Sequence, residues 1–294
     1  MRNYPAAFFG REFTSDDGLT LHFRDYSGGD AGQPPILCIP GLTRNCRDFE
    51  PVADAFAGHW RVLCADLRGR GRSDYSRDSA NYQPMRYVAD IIELLDQLEL
   101  DRVVAIGTSL GGIVTMLLAL QAPERLAGVV LNDIGPEIEI AGMERIRGYV
   151  GQGRSFPTWM HAARGLREQA GAAHPDFEIG DWLKLAKRLM ATGPGGRIAF
   201  DYDMKIAEPF QSAQGTAPFD MWPAFRALAG RPVLAIKGDL SDILSHQTLN
   251  RMAEALPELD VCVVPRTGHA PTLEEPVAID AIRRLLARVW YTGE

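Results

Sequence analysis

The chain has 294 residues, 46% of them hydrophobic and 23% charged, and a formal net charge of −7. Its length fits one large domain, or one domain with an insertion, and its composition is ordinary for a globular protein. The acidic balance, with a pI near 5.5, argues against nucleic acid or an anionic membrane as the main partner. Since no run is long enough to span a membrane and the N-terminus lacks a secretory signal pattern, we expect a cytoplasmic protein.

The cysteines Cys38, Cys46, Cys64 and Cys262 predict neither a disulfide scaffold nor a metal site. Their spacing forms no CxxC or zinc pattern, and three of them lie in apolar runs. We expect reduced thiols in the core and no bound metal.

The N-terminal part of the chain alternates short apolar runs with helical patterns. A hairpin is predicted over Phe13 to Tyr26, because two alternating segments flank the turn sequence Asp16-Asp17-Gly18. His22 falls in its second strand, where we expect a structural role. The predicted elements that follow are a strand at Ile36–Ile39, a helix near Asp48–Phe56, a strand at Arg61–Leu67 and a helix at Tyr87–Leu98.

A glycine-rich loop with three arginines runs from Asp66 to Asp74. It lacks the Lys-Ser/Thr ending of a P-loop, and its spacing does not match the dinucleotide fingerprint. We interpret it as a structural turn.

The next predicted strand, Val103–Ile106, leads into a Gly-x-Ser-x-Gly sequence formed by residues 107–111, and a long helical pattern follows. A strand-to-helix turn this tight needs glycine on both sides, because a larger side chain at Gly107 or Gly111 would collide with the neighbouring strand or helix. The turn directs the Ser109 hydroxyl out of the sheet at a helix N-terminus, which favours negative charge.

With a further strand at Ala127–Leu131, strands and helices alternate regularly, which predicts a largely parallel sheet covered by helices on both faces. Ligands of such sheets bind beyond the carboxyl ends of the strands, where Ser109 is placed. Residues 136–214 interrupt this order. They contain no strand pattern, many large apolar side chains, and an amphipathic helix with Trp182, Leu185, Ala186 and Leu189 on one face.

We interpret this segment as a helical cap over the site. The sheet pattern resumes with strands at Pro232–Lys237 and Val261–Val264, and a helix from about Pro276 to Trp290 follows. The predicted organisation is a core of residues 1–135 and 215–294 with a cap insertion at 136–214.

A serine nucleophile needs a base, normally a histidine held by a carboxylate. Only His269, among six histidines, lies on the loop after the last predicted strand. Three aspartates could hold it: Asp242 and Asp239 follow the penultimate strand, and Asp133 follows the strand after the helix that begins next to Ser109. We prefer Asp242, with Asp239 as the first alternative and Asp133 as the second.

The negatively charged oxygen of a tetrahedral intermediate also needs hydrogen-bond donors. The amide of Leu110, directly after the serine, is one candidate, and the loop after Ile36–Ile39 places the second at Leu42.

These motifs in this order resemble the α/β-hydrolase fold superfamily over nearly the whole chain. The matching sequences are Pro40-Gly41, Asp66-x-Arg-Gly-x-Gly-x-Ser73, Gly107-x-Ser109-x-Gly111-Gly112, Gly238-x-x-Ser-Asp242 and Gly268-His269-x-Pro-x-Leu-Glu-Glu-Pro276. The resemblance implies an eight-stranded, mostly parallel sheet with a cap, and a triad of Ser109, Asp242 and His269. Many members carry His-Gly where this chain has Pro40-Gly41, so a hydrogen bond from that histidine is lost.

The leading hypothesis is a serine hydrolase that cleaves a carboxylic ester or lactone of a small, largely apolar substrate, without a cofactor. The alternatives are a carbon–carbon bond hydrolase acting on vinylogous diketones and, from another class, a small-molecule receptor on the same fold. An acyltransferase or a cofactor-independent haloperoxidase-type activity is less favoured.

Overall fold

The computed structural model describes residues 6–212 and 220–290. The strands are β1 Phe9–Thr14, β2 Thr20–Tyr26, β3 Ile36–Ile39, β4 Val62–Ala65, β5 Val103–Thr108, β6 Leu126–Asn132, β7 Ser155–Phe156, β8 Met190–Thr192, β9 Ile198–Phe200, β10 Val233–Gly238 and β11 Leu259–Val264. The helices are α1 Glu50–Phe56, α2 Pro84–Gln97, α3 Leu110–Gln121, α4 Ile140–Arg147, α5 Trp159–Ala170, α6 Ile179–Leu189, α7 Ala207–Ser212, α8 Trp222–Arg226, α9 His246–Ala255 and α10 Pro276–Val289. Single 3₁₀ turns lie at Cys46–Phe49, Ser79–Asn81, Pro123–Arg125 and Met204–Ile206.

Eight strands form one sheet in the order β1-β2-β4-β3-β5-β6-β10-β11. The β1–β2 hairpin and the β2–β4 pair are antiparallel, and the remaining neighbours are parallel. The predicted fold class, an eight-stranded mostly parallel sheet flanked by helices, is therefore confirmed.

Apolar side chains alternate between the two faces of this sheet. In β5, for example, Val103 and Ala105 pack with α2 and α3 on one face, whereas Val104 and Ile106 pack with α1 and α10 on the other. Burial on both faces explains why the central strands are apolar along their whole length. Among the described residues, no helix combines the length and apolar character needed to cross a bilayer.

Residues 136–212, which we call the crossover segment, lie between the neighbouring parallel strands β6 and β10. The prediction that this part contains no strand is wrong, because β7, β9 and β8 form a small antiparallel sheet. These strands have only two or three residues each, too few to produce a visible alternation. The predicted face of α6 is buried as expected, and the predicted cap boundary at 214/215 lies outside the described residues.

Candidate active site

The serine turn between β5 and α3 has the strained backbone that its sequence predicts. Ser109 has φ = 52°, a left-handed conformation that costs free energy for a residue with a side chain. A Cβ on Gly107 would lie 2.4 Å from Gly111 O, and one on Gly111 would lie 1.9 Å from Ile39 O. Both flanking glycines are therefore required by close backbone approach.

His269, on the loop after β11, reaches this serine. Its Nε2 lies 3.0 Å from Ser109 Oγ, within hydrogen-bond distance, and the imidazole side chain is only 8% exposed. The loop is fastened to the crossover segment, because the amide of Gly268 donates a hydrogen bond of 2.6 Å to Ala173 O. The predicted pairing of Ser109 with His269 is present in the structure.

The carboxylate that holds His269 is Asp133, at the end of β6. Its Oδ2 lies 2.7 Å from His269 Nδ1 and accepts a second hydrogen bond of 2.6 Å from Ser241 Oγ. Its Oδ1 accepts from the amide of Gly238 at 2.8 Å. The Asp133 side chain is fully buried, and three donors satisfy its oxygens, which a buried carboxylate requires.

The preferred sequence candidate, Asp242, does not contact His269, and this corrects the predicted pairing. Its carboxylate is about one-third exposed and forms two hydrogen bonds, of 2.5 and 2.7 Å, with Arg145 on α4. That guanidinium lowers the pKa of Asp242 below its usual value. The physical reason is the path of the loop after β10, which turns Ser241 rather than Asp242 towards Asp133.

The first alternative, Asp239, also lies away from His269. Its half-exposed carboxylate is 3.5 Å from His246 Nε2. Asn132 and Asp133 are polar residues at the end of an otherwise apolar strand, and this pattern is the sequence signal for the aspartate that contacts His269. Asn132 donates to Thr108 Oγ1 and Pro271 O, so it ties β6 to the serine turn and to the histidine loop.

The two predicted backbone donors lie beside the serine. Leu42 and Leu110 both line the same cavity as Ser109. In the part of the chain that the structure describes, neither amide donates to a protein acceptor, so both are available to a ligand. A Cβ on Gly41, just before Leu42, would stand 3.7 Å from Ser109 Cβ, which shows how closely the two loops approach.

A cavity of about 400 Å³ opens beside Ser109, a size typical of small-molecule sites. Its lining is almost entirely apolar, and the core and the crossover segment both contribute to it. The lining residues are Leu42, Tyr82, Gln83, Pro84, Tyr87, Ser109, Leu110, Ile113, Ile134, Ile138, Met143, Ile146, Ile206, Pro209, Phe210 and Ile243. This composition suits an aliphatic or aromatic group attached to the atom that Ser109 would attack.

Two other buried histidines lie in the described chain. His22 is paired with Asp66 through Nδ1 at 2.8 Å, in agreement with the structural role predicted for it. His174, in the crossover segment, stacks on Phe177 with the ring centroids 4.5 Å apart. Burial, with Arg44 and His269 nearby, lowers the pKa of His174 to about 4, so this histidine is neutral at neutral pH.

Comparison with known proteins identifies the family. A family model described as the alpha/beta hydrolase fold matches residues 34–276. The chain belongs to the α/β-hydrolase family. A curated relative, the 3-hydroxybutyrate-oligomer hydrolase of Cupriavidus necator, is 34% identical over 275 residues, covering 90% of this chain and 91% of that protein. The 2-(acetamidomethylene)succinate hydrolase of Mesorhizobium japonicum is 26% identical, covering 85% of each chain.

A solved structure agrees with this family assignment. The crystal structure of an α/β hydrolase from Novosphingobium aromaticivorans DSM 12444 has a TM-score of 0.92 and 59% sequence identity, and covers 96% of this chain and 99% of that one. The predicted enzyme class, an α/β-hydrolase, is thereby confirmed.

Proposed function

We propose that this α/β-hydrolase is a serine hydrolase that cleaves a carboxylic ester or lactone of a small, largely apolar substrate through an acyl-enzyme. The observation that carries the proposal is the hydrogen-bonded series from Ser109 through His269 to Asp133, at the wall of an apolar cavity. Such a series activates a serine hydroxyl, because the histidine accepts its proton and the buried carboxylate stabilises the resulting imidazolium.

In the first half-reaction, Ser109 Oγ forms a bond to the ester carbonyl carbon while its proton moves to His269 Nε2. The carbonyl oxygen becomes an oxyanion, for which the Leu42 and Leu110 amides are the available donors. The bond from carbon to the leaving oxygen then breaks, and His269 returns the proton to the departing alcohol.

In the second half-reaction, water attacks the acyl-enzyme and gives its proton to His269. Collapse of the second tetrahedral intermediate breaks the bond to Ser109 Oγ, which recovers its proton from His269. The acid product leaves, and the resting hydrogen bonds re-form. Every proton in this cycle is carried by His269, and no group beyond the protein and water is required.

The crossover segment serves in this proposal as the cap over the acyl group. Six of its residues line the cavity: Ile138, Met143, Ile146, Ile206, Pro209 and Phe210. They enclose one side of the space next to Ser109, so acyl size is set jointly by this segment and the core. The name of the Cupriavidus necator relative supports esters of short hydroxy acids as a substrate class to include.

The test is hydrolysis of p-nitrophenyl acetate, butyrate, hexanoate and octanoate, and of the dimer of 3-hydroxybutyrate, by wild type and Ser109→Ala. The proposal predicts turnover by wild type and its loss in the variant, with an acyl adduct on Ser109 detected by rapid-quench mass spectrometry. Ser245→Ala removes a helix-capping hydroxyl outside the site and serves as the matched control, with kcat unchanged.

Wild type that hydrolyses none of these esters faster than Ser109→Ala would contradict the proposal. Consumption of a ring-fission dienoate with inert esters would favour carbon–carbon cleavage. Saturable binding of such compounds without turnover would favour a receptor.

A further inference from the structure

The arginine-rich loop after β4 contains a buried cation that the mechanism above does not use. Arg70 is fully buried, yet within residues 6–212 and 220–290 its guanidinium forms no ion pair. Arg68, two residues earlier, is equally buried but is bound by Asp90 and by Asp17. A buried charge without a counter-ion is costly, so the contrast points to a specific task for Arg70.

Most side-chain contacts of Arg70 are with residues that line the cavity. Its Nε donates to Leu42 O at 2.9 Å, and its Nη1 donates to Tyr87 Oη at 2.9 Å and to Arg68 O at 2.7 Å. The guanidinium carbon lies 4.8 Å from the Tyr87 ring centroid and 5.8 Å from that of Tyr82. Leu42, Tyr82 and Tyr87 line the cavity beside Ser109.

One nitrogen of this cation, with its two N–H bonds, has no acceptor among the described residues. Arg70 Nη2 is buried and lacks a hydrogen-bond partner in the described chain. The positive charge is thus neither neutralised by a carboxylate nor fully satisfied by neutral acceptors. In a medium of low dielectric constant, such a charge acts strongly on any negative charge that forms nearby.

We propose that Arg70 is a positioning residue for the hydrolytic reaction: it fixes the loop that carries the Leu42 amide and adds positive potential where the oxyanion develops. The hydrogen bond to Leu42 O holds the loop at the point where Leu42 lines the cavity beside Ser109. The uncompensated charge favours the transition state more than the neutral ester, because negative charge on the carbonyl oxygen appears only during the reaction. This inference rests on the proposed serine hydrolase function.

A purely structural role for Arg70 makes a different prediction. If the guanidinium only stabilises the fold, its replacement lowers thermal stability, and activity falls in proportion to the unfolded fraction. If it acts on the oxyanion, kcat falls while KM stays nearly constant in the folded protein. Arg68 is the matched control, since it has the same loop, the same burial and a charge that is already neutralised.

The experiment compares wild type, Arg70→Gln, Arg70→Lys and Arg68→Lys. Three quantities are measured at a temperature where all are folded: kcat and KM on the best ester, and the rate of Ser109 phosphonylation by a fluorophosphonate. We expect Arg70→Gln to lower kcat and the phosphonylation rate about 10- to 100-fold with KM changed less than about twofold. Arg70→Lys keeps the charge but not the full set of guanidinium hydrogen bonds, so it should recover part of that loss and still have a several-fold lower kcat than wild type. Arg68→Lys should keep kcat within about twofold even where its melting temperature falls.

The inference would be overturned if kcat fell equally in the Arg70 and Arg68 variants. It would also be overturned if Arg70→Gln raised KM and left kcat unchanged. If Arg70→Gln does not fold, Arg70→Lys decides: the inference requires a several-fold lower kcat at unchanged KM, and unchanged kcat contradicts it. If wild type hydrolyses no ester, the proposed function fails, while the phosphonylation rates still test Arg70. A wild type that reacts with neither reagent contradicts both.

Discussion

Two loops at the same edge of the sheet carry aspartates, and the structure uses them differently. The β6 loop, residues 133–135, begins with Asp133, which is fully buried and accepts hydrogen bonds from three donors, His269 among them. The β10 loop, residues 239–245, carries Asp242, which is about one-third exposed and paired with Arg145. Both aspartates lie in a loop at the end of a parallel strand. They differ in whether the side chain is buried beside His269 or faces Arg145.

The β10 loop still serves the buried carboxylate. Ser241 donates from its hydroxyl to Asp133 and accepts from the amides of Ile243 and Leu244, and Gly238 donates its amide to the same carboxylate. The β6 loop thus provides the buried carboxylate, and the end of β10 with its loop donates hydrogen bonds that hold this carboxylate in place. The comparison teaches that burial with a complete set of donors, rather than location alone, marks the aspartate that can orient a histidine.

The largest expected effect comes from replacing the buried aspartate, Asp133. Asp133→Asn should lower kcat on the best ester by about 10³- to 10⁴-fold, because the amide no longer stabilises the imidazolium or selects the right tautomer. Circular dichroism and a melting curve establish that the variant is folded. A loss below about tenfold in folded protein would contradict the role of Asp133.

Protonation of His174 tests how the crossover segment packs near the site. Its folded pKa of about 4 lies below the ordinary value of 6.5. The unfolded chain therefore binds more protons between these values, and stability falls as pH falls through this window. On lowering the pH from 6.5 to 4, wild type should lose about 3 kcal/mol more unfolding free energy than His174→Phe. Urea unfolding at both pH values measures this difference. An equal loss of unfolding free energy in the two proteins would contradict the burial of His174.

Ser241→Ala sharpens the comparison within the β10 loop. It removes one donor to Asp133 and should lower kcat about tenfold while costing roughly 1–2 kcal/mol of stability. Ser245→Ala, which removes the cap of α9 in the same loop, should cost about 1 kcal/mol without changing kcat. Steady-state kinetics and urea unfolding separate the two, and equal kcat values would argue that Ser241 does not support Asp133.

The smallest effect is expected from Asp242→Asn. The ion pair with Arg145 is partly exposed, so its loss should cost no more than about 0.5 kcal/mol. Because the pKa of Asp242 is lowered, this contribution is present at neutral pH and disappears as the carboxylate is protonated in acid. We expect kcat to change less than about threefold, and a loss near that of Asp133→Asn would restore Asp242 as the acid.

Much of the fold was predictable because its signals are local. The β5–Ser109–α3 turn combines an apolar run, obligatory glycines and a long helical pattern, and the loop with His269 follows the last strand. The three short strands of the crossover segment were missed because two or three residues cannot display a period.

No local sequence pattern alone identifies which aspartate contacts His269. Asp133 adopts φ = 57°, a backbone conformation that no sequence pattern predicts. In the β10 loop, the adjacent side chains of Ser241 and Asp242 point in different directions. From the sequence alone Arg70 belongs to a structural turn, because the absence of a counter-ion among the described residues is a property of the folded environment. The sequence identified the right residue types at the right edge of the sheet, and tertiary packing selected among them.

The most direct test of the central claim is the low-field ¹H NMR signal of the His269 Nδ1–H group, whose proton lies in the hydrogen bond to its carboxylate. His22 has a similar bond to Asp66, so a His22→Gln variant assigns that second signal. We predict that the His269 signal disappears in Asp133→Asn and persists in Asp242→Asn. Persistence in Asp133→Asn together with loss in Asp242→Asn would contradict the account.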